Sequence, residues 1–179
     1  MNKGKWLSTK MISLSGIFLA FILVLLFVAG STSSFQMVAY CLSSIFTIII
    51  IEESNIKVGA IFYIAASLLT ILILPNKIAV LPYILFFGHY GIWFSLFPKL
   101  FNVESKHSAS RLLSQFCKYV IANICAVAVY FVCRDLIANL KIVSTFLLIP
   151  AAELFIVLFD YMYGRCLYYY RRDVKSKIM

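Results

Sequence analysis

The stretch Ile12–Gly30, ISLSGIFLAFILVLLFVAG, carries no charged residue, and its reading decides the fold. A bilayer's hydrocarbon core is about 30 Å thick and an α-helix rises about 1.5 Å per residue, so roughly 17 to 25 apolar residues make a span. Five more stretches have this character: Phe35–Ile51, Val58–Leu74, Ile78–Leu96, Leu112–Cys133 and Ile142–Tyr163. At membrane depth no water pairs the backbone, which leaves helix bundles and closed barrels as spanning structures. Alternating ten-residue strands are missing, so the sequence predicts an all-α polytopic membrane protein, a six-transmembrane-helix bundle. The connectors are too short to bury a soluble core, which predicts one integral membrane domain over residues 1–179. The first stretch is longer than a signal-peptide core and no small-residue cleavage site follows it, so it reads as a retained span.

Basic residues in short loops resist translocation and so set orientation. Lys3, Lys5, Lys10, Lys57, Lys99, Lys106, Arg111, Arg165, Arg171, Arg172, Lys175 and Lys177 fall on one side of the predicted bundle; only Lys77, Arg134 and Lys141 fall on the other. Both termini are therefore expected in the cytoplasm, with the chain in the cell membrane. The net charge of +9 follows from this asymmetry. The tail from Tyr168 to Lys177 pairs aromatic with basic residues, a composition suited to an anionic lipid leaflet. No separate basic domain exists to carry nucleic acid, so none is expected as a partner.

The five cysteines, Cys41, Cys117, Cys125, Cys133 and Cys166, show no CxxC or Cys/His ligand spacing and read as small packing residues. Two distant histidines do not make a zinc site. HExxH, GxSxG and phosphate-cradling glycine loops are all missing from the sequence, so neither a metal, nor a cofactor, nor enzymatic activity is expected.

Polar groups inside the spans carry the remaining information, because each is costly unless it faces protein or water. Glu153 lies near the middle of the sixth span. Pro150, Glu153, Val157, Asp160 and Gly164 share a helical face. Glu153 either lines a binding cavity or is held internally, protonated or paired with Lys118 of the fifth span. Asp160 is near enough to the interface for solvation or pairing with Arg165. On the fifth span Gln115, Tyr119, Asn123 and Ala126 form a stripe directed at the bundle interior. There Asn123 can serve a ligand or, more commonly, bond a neighbouring helix. The fourth span contains Phe86-Phe87-Gly88-His89-Tyr90-Gly91 with Trp93 one turn after His89; these rings could stack on a flat ligand, or pack as a seam with an interfacial aromatic belt. On the first span Gly16 and Ala20 form a small-xxx-small pair that admits close approach of another helix.

This layout resembles the substrate-binding S components of energy-coupling factor (ECF) transporters. The features that carry the likeness are six spans, basic termini, the Gly16/Ala20 pair, and the run Gly59-Ala60-Ile61-Phe62-Tyr63-Ile64-Ala65-Ala66-Ser67 leading to Leu74-Pro75-Asn76-Lys77. In that family an AxxxA-like pair docks on a transmembrane T component, and Gly replaces the first Ala here. The resemblance implies capture of a vitamin-like micronutrient on the outer side, with Asn76, His89, Trp93, Asn123 and Glu153 as ligand-binding candidates. It also implies a T component and two ATPase subunits as partners, with the ATP chemistry belonging to them. Two other classes fit the same size and span number: a stand-alone scaffold comparable to the rod-shape proteins of cell-wall elongation, and a small proton-coupled carrier using Glu153.

Overall fold

The computed structural model describes residues 9–101, 108–132 and 145–175. All regular structure among them is helical: α1 (Thr9–Ser31), α2 (Gln36–Glu53), α3 (Ile56–Ile73), α4 (Lys77–Leu100), α5 (Ser108–Val132) and α6 (Thr145–Tyr169). Five of these helices, α1 to α5, are long and apolar enough to cross a membrane. Each expected stretch overlaps one helix; Cys133 of the fifth and residues 142–144 of the sixth lie outside the described residues, and α6 is not among the five membrane-length helices. The chain forms two compact units, Met1–Val129 and Tyr130–Met179.

From α2 to α4 the helices are joined by tight turns that satisfy their own backbone groups. Ser54 and Asn55 connect α2 to α3, and the Asn55 side chain accepts the N–H of Val58 at 3.0 Å as an N-cap. Between α3 and α4, Asn76 caps in the same way, accepting from Ala79 N at 3.2 Å, while its amide donates to the Gly30 carbonyl at the end of α1 at 3.4 Å. The Lys77 ammonium donates to the terminal α3 carbonyls of Ile71 and Leu74, where the helix dipole favours a cation.

Polar side chains are buried between helices while many apolar ones are exposed, a pattern compatible with helices that cross a membrane. Ser43, Ser44, Thr47 and Thr70 are wholly buried between helices, whereas Leu72 is 82% exposed. Small residues that allow close helix approach share the interior with large ones such as Ile22, Leu26 and Tyr83. The serine and threonine hydroxyls mostly bond their own helix: Ser43 donates to Tyr40 O at 2.8 Å, Ser44 to Cys41 O at 2.7 Å and Thr70 to Ser67 O at 2.9 Å.

Helix α4 is the irregular member. Pro82 lacks an N–H, and Tyr83 turns its N–H to the Val80 carbonyl rather than to Ala79. From Tyr83 to Phe87 the helix widens into a π turn, in which the Gly88 N–H reaches Tyr83 O instead of Ile84 O. Both displaced carbonyls accept a phenol: Tyr40 of α2 donates to Ala79 O at 2.5 Å and Tyr63 of α3 to Ile84 O at 2.8 Å. Two neighbouring helices thus repair the α4 ladder where lipid could not. Tyr40→Phe and Tyr63→Phe are each expected to cost about 1–3 kcal/mol, the penalty of a buried orphan carbonyl. Thermal melting in detergent checks this against Tyr161→Phe, whose ring is 63% exposed. Equal melting of Tyr40→Phe and Tyr161→Phe would remove the bond from the account.

The second unit is described by α6 and the wider turn Tyr170–Lys175 that follows it. Ile156, Phe159, Tyr163 and Leu167 are buried at steps of three and four; Phe155 stacks on Phe159 at 5.9 Å, and Phe159 meets Tyr163 tilted at 5.5 Å. At its end the Tyr169 ring takes two guanidinium groups, Arg165 at 5.6 Å and Arg172 at 5.7 Å. Asp173 accepts from Arg172 Nε at 3.0 Å and pushes the pKa of that guanidinium up further.

Candidate functional site

A cavity of about 10 Å³ opens between α4 and α5, room for roughly one water molecule. His89, Tyr90 and Trp93 face it from α4; Lys118, Ala122 and Cys125 face it from α5. These positions recur at steps of three and four on each helix, which is why a single face of each supplies the lining.

The cavity wall combines aromatic rings with an imidazole, a thiol and an ammonium. His89 Nε2 lies 3.4 Å from the Cys125 thiol. The imidazole meets Trp93 edge-on, with centroids 6.4 Å apart at 79°, and Trp93 in turn stacks on Phe97 at 5.6 Å. On its other side His89 lies 5.9 Å from the Tyr63 ring of α3. The Lys118 ammonium sits 4.7 Å over the Phe94 ring, a cation–π contact that holds a cation among apolar groups. Chemically the site offers flat rings, a thiol and imidazole pair, and one cation. No group of three His, Cys, Asp or Glu side chains close enough to hold a metal ion occurs among the described residues.

Of the five residues expected to bind ligand, His89 and Trp93 meet at this cavity. Asn76 caps α4 at the helix end and is exposed. Asn123 lies about a third of a turn or more round α5 from the Lys118, Ala122 and Cys125 face. Its amide donates to Tyr119 O at 3.1 Å within the same helix. Glu153 belongs to the second unit, where it is exposed on the flank of the buried α6 stripe.

Lys118 and Cys125 enter the site although the sequence offered Lys118 only as a partner for Glu153 and Cys125 only as a packing residue. The available signal was their spacing: Lys118, Ala122 and Cys125 share one face of α5 just as His89 and Trp93 share one of α4. The expected docking pair lies elsewhere. Gly16 and Ala20 are both exposed on α1, and a Cβ added at Gly16 would meet nothing within 4 Å. Comparison of the chain with protein-family models, with curated proteins and with solved structures finds no match.

Proposed function

We propose that this chain is the membrane-embedded substrate-binding subunit of an ECF-type uptake transporter for a vitamin-like micronutrient. In this reading α6 completes six spans, both termini are cytoplasmic, and a T component with two ATPases drives transport. The observation that carries it is the separation of two surfaces within the first unit. Gly16 and Ala20 lie on a face of α1 that also bears Ile17, Phe21 and Val24, each more than half exposed. The aromatic and polar seam lies instead between α4 and α5. A subunit that binds a ligand on one side and docks a membrane partner on another needs this division.

Ligand capture then requires α4 and α5 to part, because the cavity holds about one water. Trp93 is assigned the stacking surface and His89 a hydrogen bond to the ring edge. Trp93→Ala is expected to lower ligand affinity by about 2 kcal/mol or more, as loss of a buried aromatic anchor does. His89→Ala should cost about 1 kcal/mol, one neutral hydrogen bond. Native mass spectrometry of the purified chain tests this. A one-to-one organic adduct that weakens in both variants supports the reading, and an adduct indifferent to both moves the site elsewhere.

A further inference from the structure

One face of α6 and of the turn that follows it is laid out in the order of half a bilayer. Leu154, Leu158, Tyr161, Arg165, Tyr169 and Arg172 succeed one another at steps of three and four, which places them on a single stripe. All six are exposed. The buried stripe of Ile156, Phe159, Tyr163 and Leu167 lies about half a turn round the helix. Along the exposed stripe aliphatic groups come first, then rings interleaved with cations, as hydrocarbon gives way to interface and headgroup in a leaflet.

The rings hold the cations in place. Arg165 lies over two of them, Tyr161 at 6.0 Å and Tyr169 at 5.6 Å, and Arg172 lies 5.7 Å over Tyr169. Contact with a ring face uses none of a guanidinium's five N–H donors, whose fork matches the oxygens of a phosphate. Two like charges brought to one ring also repel, and an anion between them offsets that repulsion. Asp173 accepts from Arg172 Nε at 3.0 Å, yet from Asp160 to Lys177 five cations stand against two carboxylates. This excess favours an anion, and the aliphatic end of the stripe favours one that carries an acyl chain.

We propose that Arg165, Tyr169 and Arg172 clamp the phosphate of an anionic phospholipid, whose acyl chain lies along Leu158 and Leu154. Leu158 and Arg165 are roughly 10 Å apart along the helix axis, the depth that separates a headgroup from the upper part of its acyl chain. A zwitterionic headgroup presents the same phosphate with a cation of its own, which the two guanidinium groups repel. The site needs one leaflet only, so it is independent of the transporter reading and of any transported ligand.

Native mass spectrometry of the full chain tests this, with phosphatidylglycerol and phosphatidylcholine of identical acyl chains supplied in equal amounts in detergent. The chain should retain phosphatidylglycerol severalfold better than phosphatidylcholine. Arg165→Gln and Arg172→Gln together should bring the two lipids level without moving the melting temperature, because both side chains are exposed. Arg171→Gln removes one cation about a third of a turn away from the stripe and should keep most of the preference. Equal retention of the two lipids by the native chain would overturn the proposal. So would losses of the same size in Arg171→Gln and Arg165→Gln, which would make the preference one of overall charge. Displacement of the lipid by inorganic phosphate alone would also overturn it, since the stripe would then hold a free anion.

Discussion

Gly16→Leu and Ala20→Leu are expected to abolish assembly with a T component while leaving the fold and ligand binding untouched. The reason is geometric. A Cβ at Gly16 meets nothing within 4 Å and Ala20 is exposed, so neither leucine collides with the chain's own core. A partner helix resting on a small-xxx-small pair, by contrast, approaches so closely that one isobutyl group holds it off. Without water to expel, membrane helices associate through close packing, and the loss of that contact is close to all-or-none. Native gel analysis of the chain co-expressed with an energy-coupling module checks the outcome, and melting temperature supplies the control. Assembly retained by both variants would take the docking face off α1.

The second large effect is expected at Gly88. A Cβ there would come within 2.7 and 2.9 Å of the Tyr63 ring and 3.0 Å of Tyr83 Cζ. Neither ring can retreat cheaply, because Tyr63 is tied to the Ile84 carbonyl and Tyr83 is wholly buried. Gly88→Ala is expected to cost about 1–3 kcal/mol through overpacking. Gly16→Ala, on an open face within α1, should instead gain up to about 1 kcal/mol from helix propensity. Coupling gives the sharper check. In a Gly88→Ala/Tyr63→Ala double variant the second change removes the ring that the first one strikes, so the combined loss should fall short of the sum. Additive losses would mean that Gly88 acts through something other than these rings. At Gly59 an added Cβ would collide with Ile51 across the α2–α3 turn, so Gly59→Ala serves as a second test of close packing.

The contrast between what the sequence displays and what it conceals follows from the solvent. In lipid each backbone group must be paired within its own segment, so length and hydropathy already delimit the helices, and Val58–Leu74 differs from α3 by only a residue or two at each end. The π turn was hidden because Tyr83-Ile84-Leu85-Phe86-Phe87 has no local signal for an extra residue; its stability comes from the Tyr40 and Tyr63 hydroxyls on other helices. His89 and Trp93 were legible as a pair because i, i+4 spacing alone puts them together. The inward face of α5 was not, since polarity singled out Gln115, Tyr119 and Asn123. Asn123 instead meets its need within its own helix, and Lys118 uses the Phe94 ring, so the polar stripe and the cavity face diverge.

Isolation of the tagged native chain in mild detergent, from a host that supplies an energy-coupling module, tests the central claim most directly. The account predicts recovery of a T component and two ATPase subunits in fixed proportion to the chain. Recovery of the chain without them, or with proteins of cell-wall elongation in their place, would contradict it.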